Sequence, residues 1–376
     1  MPGPLHGLRV LEIASLAPAP FGCMLLADLG ADVVRVDRAD GPPAVSGPPG
    51  PLDRGIRTIA VDLKTAGGVA AIARLAEQAD VFVEGFRPGV AERLGIGPDD
   101  LMARNPLLIY ARMTGWGQNG PLSAQAGHDI NYIALAGALE PLGRAGERPH
   151  APLNLLGDFA GGGAFLALGI LAAVVERQAS GAGQVVDAAM VDGASTLMAF
   201  IHGMRAAGQW PGERGTNLLD GGAPFYDTYE TADGGFMAVG AVEPQFHAAL
   251  LRGLGLDERP GVDHLDPAGW PEERELLRAA FLTRTRAEWT EVFAALDGCV
   301  TPVLSPWEAP GHPHHIARQS FIEVDGIVQP GPAPRFGRSS TAAPRPMDAG
   351  GRDPVATLAS WGLRPDEIAE FGSAVS

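Results

Sequence analysis

At 376 residues the chain is long enough for two domains, and a composition 46% hydrophobic and 19% charged excludes a disordered or fibrous protein. The formal net charge of −16 opposes binding to nucleic acid or to an anionic membrane through the overall field, so any anionic ligand needs a local cluster of cations. Two cysteines, Cys23 and Cys299, cannot form a disulfide framework and sit in no metal-type spacing. The opening residues lack a basic region followed by an apolar stretch, and no apolar run reaches the roughly eighteen residues of a membrane helix, so a cytoplasmic protein is expected.

Residues 8–13 predict a strand, 20–29 an apolar helix, 31–37 a second strand, 58–63 a third and 67–78 an amphipathic helix. Two more strands are expected at 80–84 and 107–111. Short β-rich runs alternating with helical stretches imply an α/β fold with a parallel, doubly wound sheet, whose ligands lie beyond the carboxyl ends of the strands. The turn after the first strand, Ala14 to Pro20, has no glycine to admit a pyrophosphate, and neither G-x-G-x-x-G nor a Walker A sequence occurs there. The large domain is therefore expected to be Rossmann-like without binding NAD or ATP.

The Pro- and Gly-rich stretch 41–53 reads as an exposed loop. A helix over 161–177 and a strand over 184–190 close the amino-terminal part of the large domain, 1–190, and 191–224 reads as a linker. Residues 225–241 alternate like a hairpin turning at Asp233-Gly234-Gly235, and helices are expected at 245–254, 272–282 and 286–296. Together they predict a smaller α+β domain over 225–320, with 321–376 returning to complete the large domain. His312, His314 and His315 flank a proline in a loop-like context without an acidic or thiol partner at ligand spacing, so no metal site is expected.

Two segments carry the chemistry. Gly127-His128-Asp129-Ile130-Asn131-Tyr132 offers an imidazole, and Asn154 to Gly163 offers the carboxylate of Asp158 among glycines. Imidazole and carboxyl are the side chains best suited to exchanging a proton near neutral pH, and glycines let a substrate approach the backbone. Asp129 also suits a helix N-cap. The cationic residues are arginines except for one lysine, Lys64.

The chain resembles the family III CoA-transferase group, also called CaiB/BaiF, and most closely its α-methylacyl-CoA racemase branch. The resemblance spans residues 3–346 and rests on the stretches 25–35, Asp62-Leu63-Lys64, 84–89, 127–132, Gly157-Asp158-Phe159, 242–246 and 299–304, in that order. It implies a large Rossmann-like domain built from both chain ends, a small domain between them, and an interlocked homodimer whose active site lies between the large domain of one subunit and the small domain of the other. It also implies CoA contacts at Arg38, Val61, Asp62, Leu63, Lys64, Gly85, Phe86, Arg87, Arg93, Gly127, Asp129, Ile130, Asn131 and Tyr132. Arg54 and Arg57 are weaker candidates. CoA belongs to the substrate, an acyl-CoA thioester, and no metal, NAD or PLP is expected.

Inverting the carbon next to a thioester carbonyl requires one group to remove its proton and another to return a proton on the opposite face. His128 and Asp158 are the pair for this two-base transfer, with burial and neighbours setting their pKa values. Backbone N–H groups after Asp158, at Gly161-Gly162-Gly163, are the expected donors to the enolate oxygen. By resemblance, Glu243 partners the histidine and supports the imidazolium. The resemblance leaves a second reaction, a CoA-transferase in which Asp158 attacks the thioester. A third reading, a catalytically silent CoA-binding homologue, is disfavoured by the competent side chains at all three positions. Met190, Met198 and Met204 fit helix packing better than an acyl-chain surface. The carboxyl end, Gly372 to Ser376, carries no Ser-Lys-Leu peroxisomal address.

Overall fold

The computed structural model describes residues 3–38, 41, 50–256, 263–341, 344–346 and 354–370. Most of the expected loop at 41–53 and the residues at 371–376 fall outside that set. The chain divides into two compact units, one of residues 1–136, 153–197 and 313–376, the other of 137–152 and 198–312.

The larger unit is a six-stranded parallel sheet. Its elements are β1 (Arg9–Ile13), α1 (Pro18–Asp28), β2 (Asp32–Arg38), β3 (Arg57–Val61), α2 (Ala66–Ala76), β4 (Val81–Glu84), α3 (Val90–Arg93), α4 (Pro98–Met102), β5 (Ile109–Thr114), α5 (Asp129–Leu135), a π-helix (Leu155–Ala164), α6 (Phe165–Ser180), β6 (Val185–Ala189) and α7 (Met190–Leu197). The strands lie in the order β3-β2-β1-β4-β5-β6, the order of a doubly wound sheet. Leu11 stands opposite Val34 on one side and Phe82 on the other. Alternate residues feed two cores. Leu11, Val34, Ile59, Phe82 and Tyr110 pack with Ile72 and Leu75 of α2, whereas Val10, Val33, Val83, Ile109 and Ala111 pack with Cys23 and Leu26 of α1 and Leu166 and Ile170 of α6. Both faces are dry, which explains why these strands read as continuous apolar runs.

The smaller unit contains α8 (Ala199–Ala206), β7 (Tyr226–Glu230), β8 (Phe236–Gly240), α9 (Pro244–Leu254), α10 (Trp270–Phe281), α11 (Arg286–Ala294) and β9 (Val300–Pro302). β7 and β8 form the expected hairpin, with Gly234 left-handed at its turn, and β9 adds to the β8 edge. Thr285 caps α11 through the Glu288 N–H, while the Glu288 carboxylate returns to the Thr285 N–H. Tyr229 stacks on Phe281 at 5.2 Å within the core.

The last elements rejoin the larger unit: α12 (Pro313–Arg318), β10 (Phe321–Val324), β11 (Ile327–Pro330), α13 (Pro354–Ser360) and α14 (Pro365–Glu370). Trp361, fully buried, donates its indole N–H to Asp32 at 2.9 Å and joins Leu358 and Leu363 in the first core.

Four expectations change. Residues 191–224 hold most of α7 and all of α8 rather than a bare linker, because Gly193 and Ala194 are small enough to pack α7 against the π-helix. Residues 137–152 group with the smaller unit, held by Arg214, whose guanidinium donates to the carbonyls of Glu140 and Glu147 at 2.8 and 2.7 Å. His314 and His315 lie in a short helix, α12, rather than a loop. The helix expected at 161–177 begins six residues earlier, so that Leu155–Ser180 is a continuous 26-residue helix, long and apolar enough by length and composition to cross a membrane. Its Leu166, Ile170 and Ala173 side is buried in the second core, which makes it the core helix of this unit.

Candidate active site

The carboxyl edge of the sheet is where the site residues gather. After β5 the chain passes Gly115 and Trp116 and returns at Gly127, and Tyr132 of α5 fastens the two together. A Cβ at Gly115 would lie 2.1 Å from the Tyr132 ring, and one at Gly127 2.7 Å from it. The Tyr132 ring meets Trp116 edge to face at 4.7 Å, and its hydroxyl donates to the Gly127 carbonyl. His128 follows in extended backbone as the N-cap residue of α5, its N–H donating to Asn131 Oδ1 at 3.0 Å and its side chain exposed. Asp129 is therefore the first helical residue rather than the cap.

Asp158 sits in the first turn of the π-helix, half-buried, with Asn154 Nδ2 donating to its Oδ2 at 3.1 Å. Its own N–H donates to Asp129 Oδ1 at 2.7 Å. Gly157 leaves room for that contact, since a Cβ there would stand 2.5 Å from the same oxygen. Buried Asp129 thus brackets the two segments: it is covalently next to His128 and hydrogen-bonded to the backbone of Asp158. Its second oxygen, Oδ2, has no hydrogen-bond partner among the described residues.

This geometry overturns the expected source of enolate donors. Gly161, Gly162 and Gly163, the expected donors, lie buried inside the helix rather than at its start. They serve a close helix crossing: a Cβ at Gly161 would meet the Ala194 nitrogen at 2.6 Å, one at Gly163 the Pro18 carbonyl at 2.4 Å, and one at Gly193 the Gly161 carbonyl at 1.9 Å. π turns are rare and are frequently found at functional sites.

Burial pushes the Asp158 carboxyl above the usual carboxylate range and the negative charge of Asp129 adds to the rise, while the Asn154 amide and the nearby His128 imidazole oppose it. The Tyr132 phenol is raised by burial and by the charge of Asp158, with Arg87 acting the other way. His128, Asp129, Tyr132, Asp158 and Arg87 are thus within electrostatic reach of one another. A carboxyl that holds its proton to higher pH than an exposed one, beside an imidazole, is matched to proton exchange near neutrality.

The CoA candidates occupy the same edge. Arg38 ends β2, exposed, and Val61 ends β3. In the next turn Asp62 accepts the Lys64 N–H at 2.9 Å, which leaves the Lys64 side chain exposed, and Leu63 packs on the first core. Beyond β4, buried Glu84 accepts the Phe86 N–H at 2.6 Å and the Arg112 Nε at 2.8 Å, and Arg112 also holds Glu92. Glu84 thereby shapes the Gly85-Phe86-Arg87 turn, with Gly85 so close to Ser15 that a Cβ would lie 2.8 Å from it. Arg93 closes α3, and Ile130 and Asn131 are exposed on α5. Arg54 and Arg57 are elsewhere. Arg54 is buried on Asp28, Gln329 and the Pro330 carbonyl, and Arg57, at the opposite end of β3, forks onto Asp32 at 2.7 and 2.8 Å.

Glu243 belongs to the smaller unit, exposed at the N-cap of α9. Nothing in the residue pattern marked Asn154, Glu84 or the bracketing role of Asp129, because Glu84 and Asp129 act through backbone N–H groups and Asn154 through the Asp158 carboxylate, contacts set only by folding. Among the described residues, no group of three or more His, Cys, Asp or Glu is placed to hold a metal ion.

Residues 5–351 match CoA-transferase family III. The chain belongs to that family. Among family III relatives, the α-methylacyl-CoA racemase of Mus musculus is 48% identical over 374 residues, covering 98% of this chain and 96% of that protein. The α-methylacyl-CoA racemase of Homo sapiens is 50% identical over 333 residues, covering 88% and 86%. The crystal structure of Rv3272 from M. tuberculosis superposes with a TM-score of 0.74 at 29% identity, over 92% of this chain and 98% of that one. Family III thus accounts for both the parallel sheet and the motifs at its carboxyl edge.

Proposed function

We propose that the protein is an acyl-CoA racemase that interconverts (2R)- and (2S)-2-methylacyl-CoA thioesters by two-base proton transfer. The observation that carries this reading is the mounting of His128 and Asp158 on one bracket, Asp129, with burial raising the pKa of the Asp158 carboxyl. One group removes the C2 proton, and the C–H electron pair moves into the thioester as an enolate. The other group delivers its proton to the opposite face, the enolate electrons return to C2, and the two groups end with exchanged protonation states. Which group is the base depends on the enantiomer bound. The reaction as written needs no metal or redox group.

CoA is assigned to the carboxyl edge, with Arg38, Lys64, Arg87 and Arg93 supplying the local cations that a chain of net charge −16 otherwise lacks. Val61 to Leu63, Gly85, Phe86 and the 127–132 segment supply backbone and packing contacts. Glu243 is assigned as the partner of His128, contributed by the second subunit of a homodimer. The relatives at 48% and 50% identity, both named α-methylacyl-CoA racemases, support this reading.

The test is incubation of the purified protein with one enantiomer of 2-methylacyl-CoA in deuterated water without an acceptor acid. The expected result is deuterium at C2 with convergence of the enantiomers. Absence of exchange, with acyl-CoA formed from an added carboxylic acid, makes the protein a CoA-transferase instead.

A further inference from the structure

The smaller unit contains a pair of histidines that the reaction above does not use. His247, one turn into α9, and His264 lie with their rings nearly parallel, 4.4 Å between centroids and 18° apart in plane. The buried Phe225 ring presents itself edge-on to both, at 5.8 and 5.0 Å. His247 Nε2 is 2.5 Å from Glu273 Oε1 of α10. The backbone of His264 is fastened as well, its carbonyl accepting the Trp270 indole N–H at 3.0 Å.

What His264 holds is informative. Its Nε2 lies 2.8 Å from the carbonyl oxygen of Val242. A carbonyl only accepts, so Nε2 carries a proton in this contact. That carbonyl belongs to the same peptide plane as the nitrogen of Glu243. On the other side, the Glu243 carbonyl accepts the N–H groups of Phe246 and His247, each at 3.0 Å. Both peptide planes flanking Glu243 are therefore held, one by an imidazole and one by the first turn of α9. The Glu243 side chain makes no capping bond to that helix although it occupies the cap position, and it is exposed. An N-cap side chain ordinarily makes such a bond. Here the backbone is fixed and the carboxylate is left available.

We propose that His264, kept flat by its stack on His247 and anchored through Glu273, is the positioning residue for Glu243. The inference rests on the assignment of Glu243 as the partner of His128. It adds a chain of support running from α10 through two imidazoles to the peptide plane that aims the glutamate. The role is positional: His264 acts through the Val242 carbonyl.

Three variants of the full chain test it, each followed by amide hydrogen exchange over 242–250 and by kcat and KM for racemisation. His264→Phe keeps a flat ring on His247 but has no donor for the Val242 carbonyl. It is expected to raise exchange in the first turn of α9 and to lower kcat by about tenfold at nearly constant KM, since small misplacements of a catalytic group are costly. His264→Gln keeps a donor and is expected to recover most of that kcat; it also serves if His264→Phe does not fold. Unchanged exchange and kcat in His264→Phe, or a loss in His264→Gln as large as in His264→Phe, would overturn the proposal. Glu243→Ala is run beside them. A wild-type kcat there removes the role of Glu243 itself, while raised exchange in His264→Phe would still show the clamp, so the two failures are told apart.

Discussion

At the scale of single residues, Asp158 is balanced between burial and one hydrogen bond. Burial and Asp129 raise its pKa; the Asn154 amide, donating to Oδ2, lowers it by favouring the charged form. Asn154→Ala removes the lowering contact, so the pKa must rise further. For the enantiomer whose proton Asp158 abstracts, the acidic limb of the kcat/KM profile is expected to move to higher pH, because a hydrogen bond that favours the charged form is lost. A profile that stays in place would remove Asn154 from the control of Asp158. His128, Asp158 and Glu243 were legible in the sequence as residue types within motifs. Their supports were not, because Asp129, Asn154 and His264 work through partners 29, 4 and 22 positions away. The last two of these even look like ordinary loop residues. The glycines beside Asp158 were legible as a site where backbone must come close, but the approaching group is another helix.

Elements differ in how plainly their residues announce them. β1 to β5 were readable because both faces of the sheet are covered along them and each carries a largely buried apolar run, whereas β6 is an edge strand exposed at its start. The first part of the π-helix, residues 155–160, was not readable, since Gly157 costs about 1 kcal/mol in a helix and made the segment resemble a loop. Packing against α1 and α7 outweighs that cost. The same packing makes the element intolerant of the smallest addition. Gly163→Ala would set a Cβ 2.4 Å from the Pro18 carbonyl, a backbone atom that cannot swing away. The expected loss is about 1–3 kcal/mol of stability. It should be read as a lower thermal midpoint, together with reduced kcat as the first turn carrying Asp158 shifts. A variant with unaltered midpoint would mean that α1 and the helix are less tightly apposed than this crossing requires.

For the whole molecule, the proposed homodimer makes a prediction that a single-chain site does not. Mixed dimers of differently tagged His128→Ala and Glu243→Ala chains should regain about half of the wild-type rate, because one of the two equivalent sites then contains neither substitution. Mixed dimers as inactive as the parents would place both residues of a site on one chain. The order of elements along the chain has a different kind of consequence. Leu358, Trp361 and Leu363 are the last pieces of the core on the α2 side of the sheet, and the entire smaller unit is encoded before them. A ribosome adding about 5–20 residues per second completes all six strands long before that indole emerges. Throughout that interval the part of this core that Leu358, Trp361 and Leu363 cover stays open. Emergence of α13 and the Trp361 segment after it is thus the step that closes this core over the sheet.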